Sequence, residues 1–238
     1  MTARSLCCLL LSFCFEATSI AAPASPAVVD IEPVWSGHPV GFCLLTHAPY
    51  QFAAYYDAER RMTVAQRRLD ETKWTFQRLP SKLGWDSHNY VTLALDRDLR
   101  LHVAGNMHNI PLVYFRSAKP LDVSSLQQVK SMTGDREAHV TYPVFLKSKN
   151  GQLVFRYRNG SSGNGDDLYN VYDEKSGNWS KLVDSPLISG EGERSAYAIP
   201  PKQGPDGRFH LLWVWRDTPD CATNHSLSYA RSDDLVHW

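Results

Sequence analysis

From about residue 40 onward the chain runs in short stretches where apolar and polar residues alternate, each bounded by Gly, Pro, Asn or Asp and recurring about every ten residues. Period-two alternation with that punctuation predicts strands, and helical periodicity is almost absent. Three stretches align. They start at Tyr90 (YVTLALDRDLRLHVAGNMHNIPLVYFRS), at Tyr142 (YPVFLKSKNGQLVFRYRNGSSGNGDDLYNVYD) and at Tyr197 (YAIPPKQGPDGRFHLLWVWRDTPDCATNHSLSYARS). The starts lie 52 residues apart (90 to 142) and then 55 (142 to 197). Each stretch reads as a strand, a tight polar turn (Arg97-Asp98, Asn150-Gly151, Asp206-Gly207), a second strand, a longer loop and a third strand centred on Tyr114, Tyr172 or Tyr229. A fourth strand is expected near Leu126 and at Trp179, with Trp238 opening its counterpart, and GFCLLTH, QFAAYYD, MTVAQRRL and KWTFQRL supply an earlier unit of the same kind.

A fifty-odd-residue period of four strands is the pattern of propeller blades. The expected fold is therefore all-β: a β-propeller of four-stranded antiparallel blades, with about four blades over residues 40–238 and the strands from Tyr90, Tyr142 and Tyr197 innermost around a common axis. Ring closure needs more blades, and the chain stops at the first residue of a strand, so the C-terminal blades are expected to be missing from a partial chain. The end, Ser232 to Trp238, has the look of a compacted Asp-box without its usual glycine, a structural turn with no chemistry of its own.

The first residues depart from this pattern. Arg4 precedes an apolar run over residues 6–15, and Ala17, Ala21, Ala22 and Ala24 follow, the layout of a secretory signal peptide. That run is half the length of a membrane span. Residues 1–24 are thus expected to be a signal, residues 25–238 the exported domain, and the protein secreted or periplasmic, with no membrane span and monomeric when full length. Three of the five cysteines leave with the signal; Cys43 and Cys221, far apart, are expected to stay as two separate thiols.

Composition removes further classes. Lys+Arg 25 balances Asp+Glu 25, so no net field points to nucleic acid or an anionic membrane. Histidines lack close ligand spacing and the cysteines do not cluster, so no metal site and no cofactor is expected; Gly163 to Asp167 has the composition of a structural calcium loop but is more simply a flexible turn.

Blade topology places the lead-ins to the first strands and the loops between the second and third strands on one face. That face collects His88, His108, His139, Tyr142, Arg158, Arg194, Arg216, Asn224 and His225, a concentration of His, Tyr and Arg suited to an anionic ligand. His102 and His210 occupy matching strand positions and read as packing residues. Arg156 and Arg158 alternate with Tyr157, so they share one side of their strand, and Arg158 is nearer the loop. Tyr142, before Pro143, reads equally as a buried tyrosine with a satisfied hydroxyl. Asn109 and Asn224 fall at one structural position, where a turn residue is as good a reading as a ligand contact. Asn89, Asn109, Arg194, Arg216, Asn224 and His225 are the candidates for substrate contact.

GWDSHNYVTLALDRDLRLHVAGNMHNIPLVYFRS, TYPVFLKSKNGQLVFRYRNGSSGNGD and GRFHLLWVWRDTPDCATNHSLSYARSDDLVHW resemble the BNR-repeat family, of sialidase-like propeller fold, that includes the seven-bladed ulvan lyases. The likeness spans about residues 35–238. It implies a lyase site of two histidines, a tyrosine and an arginine, which fall on His88, His108, Tyr142 and Arg158. It also implies an acidic polysaccharide or oligosaccharide as partner, cleaved by β-elimination at a uronic acid. Two rivals stand beside it. One is a sialidase-like hydrolase drawing on Asp86, Glu137, Glu191 and Glu193 or on an arginine cluster with a tyrosine nucleophile. The other is a non-catalytic sugar-binding module using Trp85, Trp213 and Trp215.

Overall fold

A computed structural model describes residues 28–238, so the expected signal segment lies outside the described residues. Residues 31–238 form one unit. Its first sheet is an antiparallel meander of β1 (Cys43–His47), β2 (Tyr50–Tyr56), β3 (Arg61–Arg68) and β4 (Thr75–Lys82). A second four-stranded sheet holds β5 (Val91–Leu95), β6 (Leu101–Gly105), β8 (Tyr114–Ser117) and β9 (Leu126–Gln128), and β7 (His108–Ile110) sits between β6 and β8 in sequence. The third group is β10 (Val140–Lys147), β11 (Leu153–Ser161), β12 (Asn164–Asp173) and β13 (Asn178–Lys181); the fourth is β14 (Ser195–Gln203), β15 (Phe209–Arg216) and β16 (Asn224–Ser232). The architecture is all-β and propeller-like, built from antiparallel groups of four strands with three in the last. Among the described residues no helix is long and apolar enough to cross a membrane.

The units cohere through apolar faces between successive sheets. Phe52, Val64, Leu93, Leu101, Val103 and Phe115 make one buried cluster from the first two sheets. Tyr114, Phe155, Tyr157, Tyr172 and Trp179 make the next, from the second and third. β5 packs against both β1 and β10, as neighbouring innermost strands would. β6 is buried along its whole length, which is why LHVAG carries no exposed polar alternation.

The structure corrects the expected layout in three places. First, β10 and β14 belong to one continuous hydrogen-bonded sheet instead of to independent ones. The joint is slight: β12 meets β14 through a single parallel pair, Gly165 with Ser195, and β7 meets β10 through Val140–Ile110 and Thr141–His108. Second, the long loop expected over residues 159–166 is a tight hairpin, with β11 and β12 paired as far as Ser161 and Asn164; Gly163 turns the chain at φ +76°, which costs a glycine no steric penalty. Its carboxylates pair with arginines, Asp166 with Arg136 at 2.8 Å and Asp167 with Arg156 at 2.5 Å. The last residues close a turn in which Asp234 accepts from the Val236 and His237 amides and Trp238 Nε1 donates to the Leu235 carbonyl. Third, His210 is about one-third exposed, whereas His102 is buried. Cys43 and Cys221 are both free thiols.

Candidate active site at the mouth of the sheets

Tyr90, Tyr142 and Tyr197, the residues at the three repeat starts, line one open cleft of about 310 Å³ with Arg156, Ala198, Ile199 and Pro200. A second cleft of similar size, lined by Asp135, Arg136, Tyr157 and Lys181 among others, holds none of the candidate catalytic side chains.

Beside the tyrosine cleft lies a triad built on the segment before β5. Asp86 forms a local turn in which its Oδ1 accepts from the His88 amide at 2.9 Å, as aspartates do two residues ahead of a bend. The same oxygen meets His88 Nδ1 at 2.6 Å, and the other carboxylate oxygen meets Nδ1 of His108, carried on β7. The two imidazoles stack at 4.1 Å between centroids and 23° between planes. Burial opposes ionisation of Asp86, but the His88 amide and both imidazoles outweigh it and hold the carboxyl down at about 2. Each of the three residues offers a ligand-type atom within 4.8 Å of the others, the compass of a metal ion.

Thr141 connects the triad to the arginine. In backbone register it stands opposite His108 on one side and Arg158 on the other. Its Oγ1 accepts from the Asn109 amide at 2.8 Å and from Arg158 Nη2 at 3.3 Å. The next residue, Tyr142, sits at a bulge in β10 with φ +57°, a conformation that bulky residues adopt only where the surroundings enforce it. Its ring lies 5.6 Å from that of His88 and 6.2 Å from that of Tyr197. It is half-buried, and among the described residues no group hydrogen-bonds its hydroxyl, so the reading as a satisfied core tyrosine does not hold. Burial raises the phenol's pKa, partly offset by Arg158.

Arg158 is the main surprise. Strand parity correctly puts it on the side of Arg156, yet it is 2% exposed, beneath the rings of Tyr142 (5.0 Å) and Tyr197 (5.7 Å). Among the described residues its Nε and Nη1 have no partner and no carboxylate pairs with it. Arg156, the less favoured of the two by sequence, reaches the cleft but is neutralised: burial opposes its charge and Asp167 restores it. The half-exposed cation at the rim is Arg216, which donates to the Tyr197 hydroxyl at 3.0 Å and to Asn224 Oδ1 at 2.7 Å.

The remaining candidates divide. Arg194 covers the Trp215 ring at 3.9 Å, and His225 has both nitrogens engaged, by Asp217 and Ser226. Asn109 holds a left-handed turn (φ +57°) with its side chain exposed, while Asn89 accepts from Tyr56 through its carbonyl and buries its amide oxygen without a partner. His139 is exposed and shares none of these contacts. Of the carboxylates offered for hydrolysis, Asp86 is bound by the histidines and Glu137 caps the amides of Met132 and Thr133, leaving the exposed Glu191 and Glu193. Sequence reasoning missed the role of Asp86 as a bridge, Thr141 as the link and Tyr197 as the partner of two arginines. The DSH spacing was a usable signal for the first; nothing marked the second.

The family model described as "BNR repeat-containing family member" matches residues 50–238. No curated protein matches the chain. Among solved structures, the polysaccharide lyase Uly1 superposes with a TM-score of 0.69 at 19% identity, over 91% of this chain and 57% of the lyase. A family 25 ulvan lyase bound to -[GlcA(1-4)Rha3S]- gives 0.58 at 14%, over 84% of this chain and 52% of the other, and an α-L-arabinanase from Penicillium chrysogenum complexed with arabinobiose gives 0.53 at 15%, over 89% and 69%. The chain spans little more than half the length of these lyases, and at such identities the likeness establishes the fold.

Proposed function

The chain belongs to the BNR repeat-containing family, and from that premise we propose that it is an exported protein that cleaves a uronate-containing, ulvan-like polysaccharide by β-elimination, its sheets standing as blades about the cleft. The observation that carries this reading is Arg158. A buried guanidinium with two unpaired donors, no counter-carboxylate, and an imidazole pair and a tyrosine in front of it form a site that attracts an anion and can move protons beside it.

Removing the C5 proton of a uronate builds negative charge next to the C6 carboxylate, and that charge must be stabilised. Arg158 supplies positive potential from behind the rings, and the half-exposed Arg216 is placed for direct contact. In this scheme His88 takes the C5 proton, the C–H electron pair forms the C4=C5 bond, and the C4–O bond breaks. Tyr142 protonates the departing oxygen; its raised pKa keeps it protonated at neutral pH, as an acid requires. Solvent then returns both groups to their starting states.

A hydrolase remains as a second reading because Tyr142 and Tyr197 lie against Arg158 and Arg216, an arginine cluster with tyrosines. One assay separates the readings. Incubated with a uronate polymer, a lyase yields an unsaturated uronate that absorbs in the ultraviolet, whereas a hydrolase yields new reducing ends without that chromophore. Binding without either product leaves a carbohydrate-binding module.

A further inference from the structure

We propose that Asp86 is a positioning residue that fixes His88 and His108 in the same tautomer, with Nδ1 protonated and Nε2 bare, so that the site presents two imidazole bases side by side. The inference rests on the elimination reading for its chemical use, but its geometry stands apart from that reading.

An ionised carboxylate only accepts hydrogen bonds. Each oxygen of Asp86 faces one Nδ1, so each Nδ1 must carry the proton. The tautomer of a neutral imidazole is set by the bond its other nitrogen makes. With both Nδ1 atoms held, both Nε2 lone pairs are left for whatever enters the mouth. The arrangement is anchored from both ends, by the His88 amide on Asp86 and by the pairing of His108 with Thr141 on β10. The remaining ionisable groups near this side are Tyr142 against His88 and, beyond it, Arg158, Arg156 and Tyr90; none is within hydrogen-bond reach of either Nδ1.

The test is nitrogen-15 NMR of the imidazoles in the intact chain, with His88→Gln and His108→Gln used for assignment. At pH above the histidine range, both residues should give the Nδ1–H signature. In Asp86→Asn the amide has one acceptor and one donor group, so one of the two histidines should switch to Nε2–H. On the elimination reading, turnover should then fall about a hundredfold or more with KM little altered, because a base now points its proton at the substrate. An Nε2–H signature at either histidine in the wild-type protein overturns the proposal, as does an Asp86→Asn protein whose tautomers are unchanged. The wild-type spectrum suffices if the variant fails to fold. Correct tautomers in a protein that forms no unsaturated uronate leave the positioning role standing and defeat the elimination reading alone.

Discussion

The mouth triad and a buried group on the β5–β6 hairpin use the same chemical pair to opposite ends. Asp86, His88 and His108 are about one-third exposed and, among the described residues, leave two imidazole nitrogens without partners. Asp96 and His102 are fully buried, and every polar position there is consumed: His102 Nε2 meets Asp96 at 3.1 Å, the Tyr114 hydroxyl donates to Nδ1 at 2.7 Å, and Trp179 Nε1 donates to the tyrosine oxygen at 3.1 Å. A histidine with nothing left to give holds sheets together; one with a bare nitrogen facing solvent can act on a ligand. Burial also sets the charge. Desolvation lowers the pKa of His102 despite Asp96, so it stays neutral, while Asp96 remains ionised because His102 and the Arg100 amide outweigh its own desolvation.

The strongest way to break this contrast is at the mouth. Replacing His88 by Ala, or Tyr142 by Phe, should lower the rate of unsaturated-uronate formation by about 10² to 10⁴-fold while the denaturation midpoint stays near wild type. A variant that loses stability and keeps its rate would reverse the roles assigned to the two regions.

The converse substitution, His102→Ala, should leave the rate intact in the folded fraction and cost about 2–4 kcal/mol in denaturant unfolding, from the lost ring contacts with Tyr172 and Trp179 and the stranded Tyr114 and Asp96 groups. It should also flatten a pH dependence. Because the folded-state pKa of His102 is depressed, the unfolded chain binds the extra proton below about pH 6.5, so wild-type stability falls on acidification by at most about 1.4 kcal/mol per pH unit until the folded pKa is passed. The Asp96 contribution is present above the ordinary aspartate pKa and is lost only at lower pH still. Equal slopes in wild type and variant between pH 7 and 5 would remove His102 as the source.

The smallest effect belongs to a third copy of the pair. His210 contacts Asp206 at 2.9 Å and the Tyr229 hydroxyl at 2.8 Å, partners of the same kinds although Asp206 stands four residues before its histidine where Asp96 stands six, and it is about one-third exposed. His210→Ala should shift the melting temperature by no more than about 2 °C, since water replaces both contacts. A loss as large as that of His102→Ala would show that position in the repeat, rather than burial, sets the energetics.

Much of this was legible in the sequence. Alternation and the fifty-odd-residue period fixed the four-stranded units, because both follow from strand geometry alone. The same-face argument brought His88, His108, Tyr142 and Arg216 to one mouth, since in such a meander loop position follows from strand order. Depth was not legible. Parity shows which side of β11 carries Arg158, but only the opposing hairpin shows how far inward it sits. Nor does a strand pattern reveal that β7 pairs with β10, so Thr141 stayed anonymous. The histidines of β6 and β15 looked equivalent because local sequence does not report which sheet face is covered.

The hairpin opposite Arg158 has a consequence for descent. At Gly165 a β-carbon would lie 3.0 Å from Arg158 Cδ and 3.0 Å from Ser195 Oγ, so the arginine's stem occupies the space that a side chain there would claim. A side chain at 165 is therefore accommodated only if the arginine stem and Ser195 each give by a few tenths of an ångström, so substitutions at 158, 165 and 195 are coupled and the effect of any one depends on which residues stand at the other two.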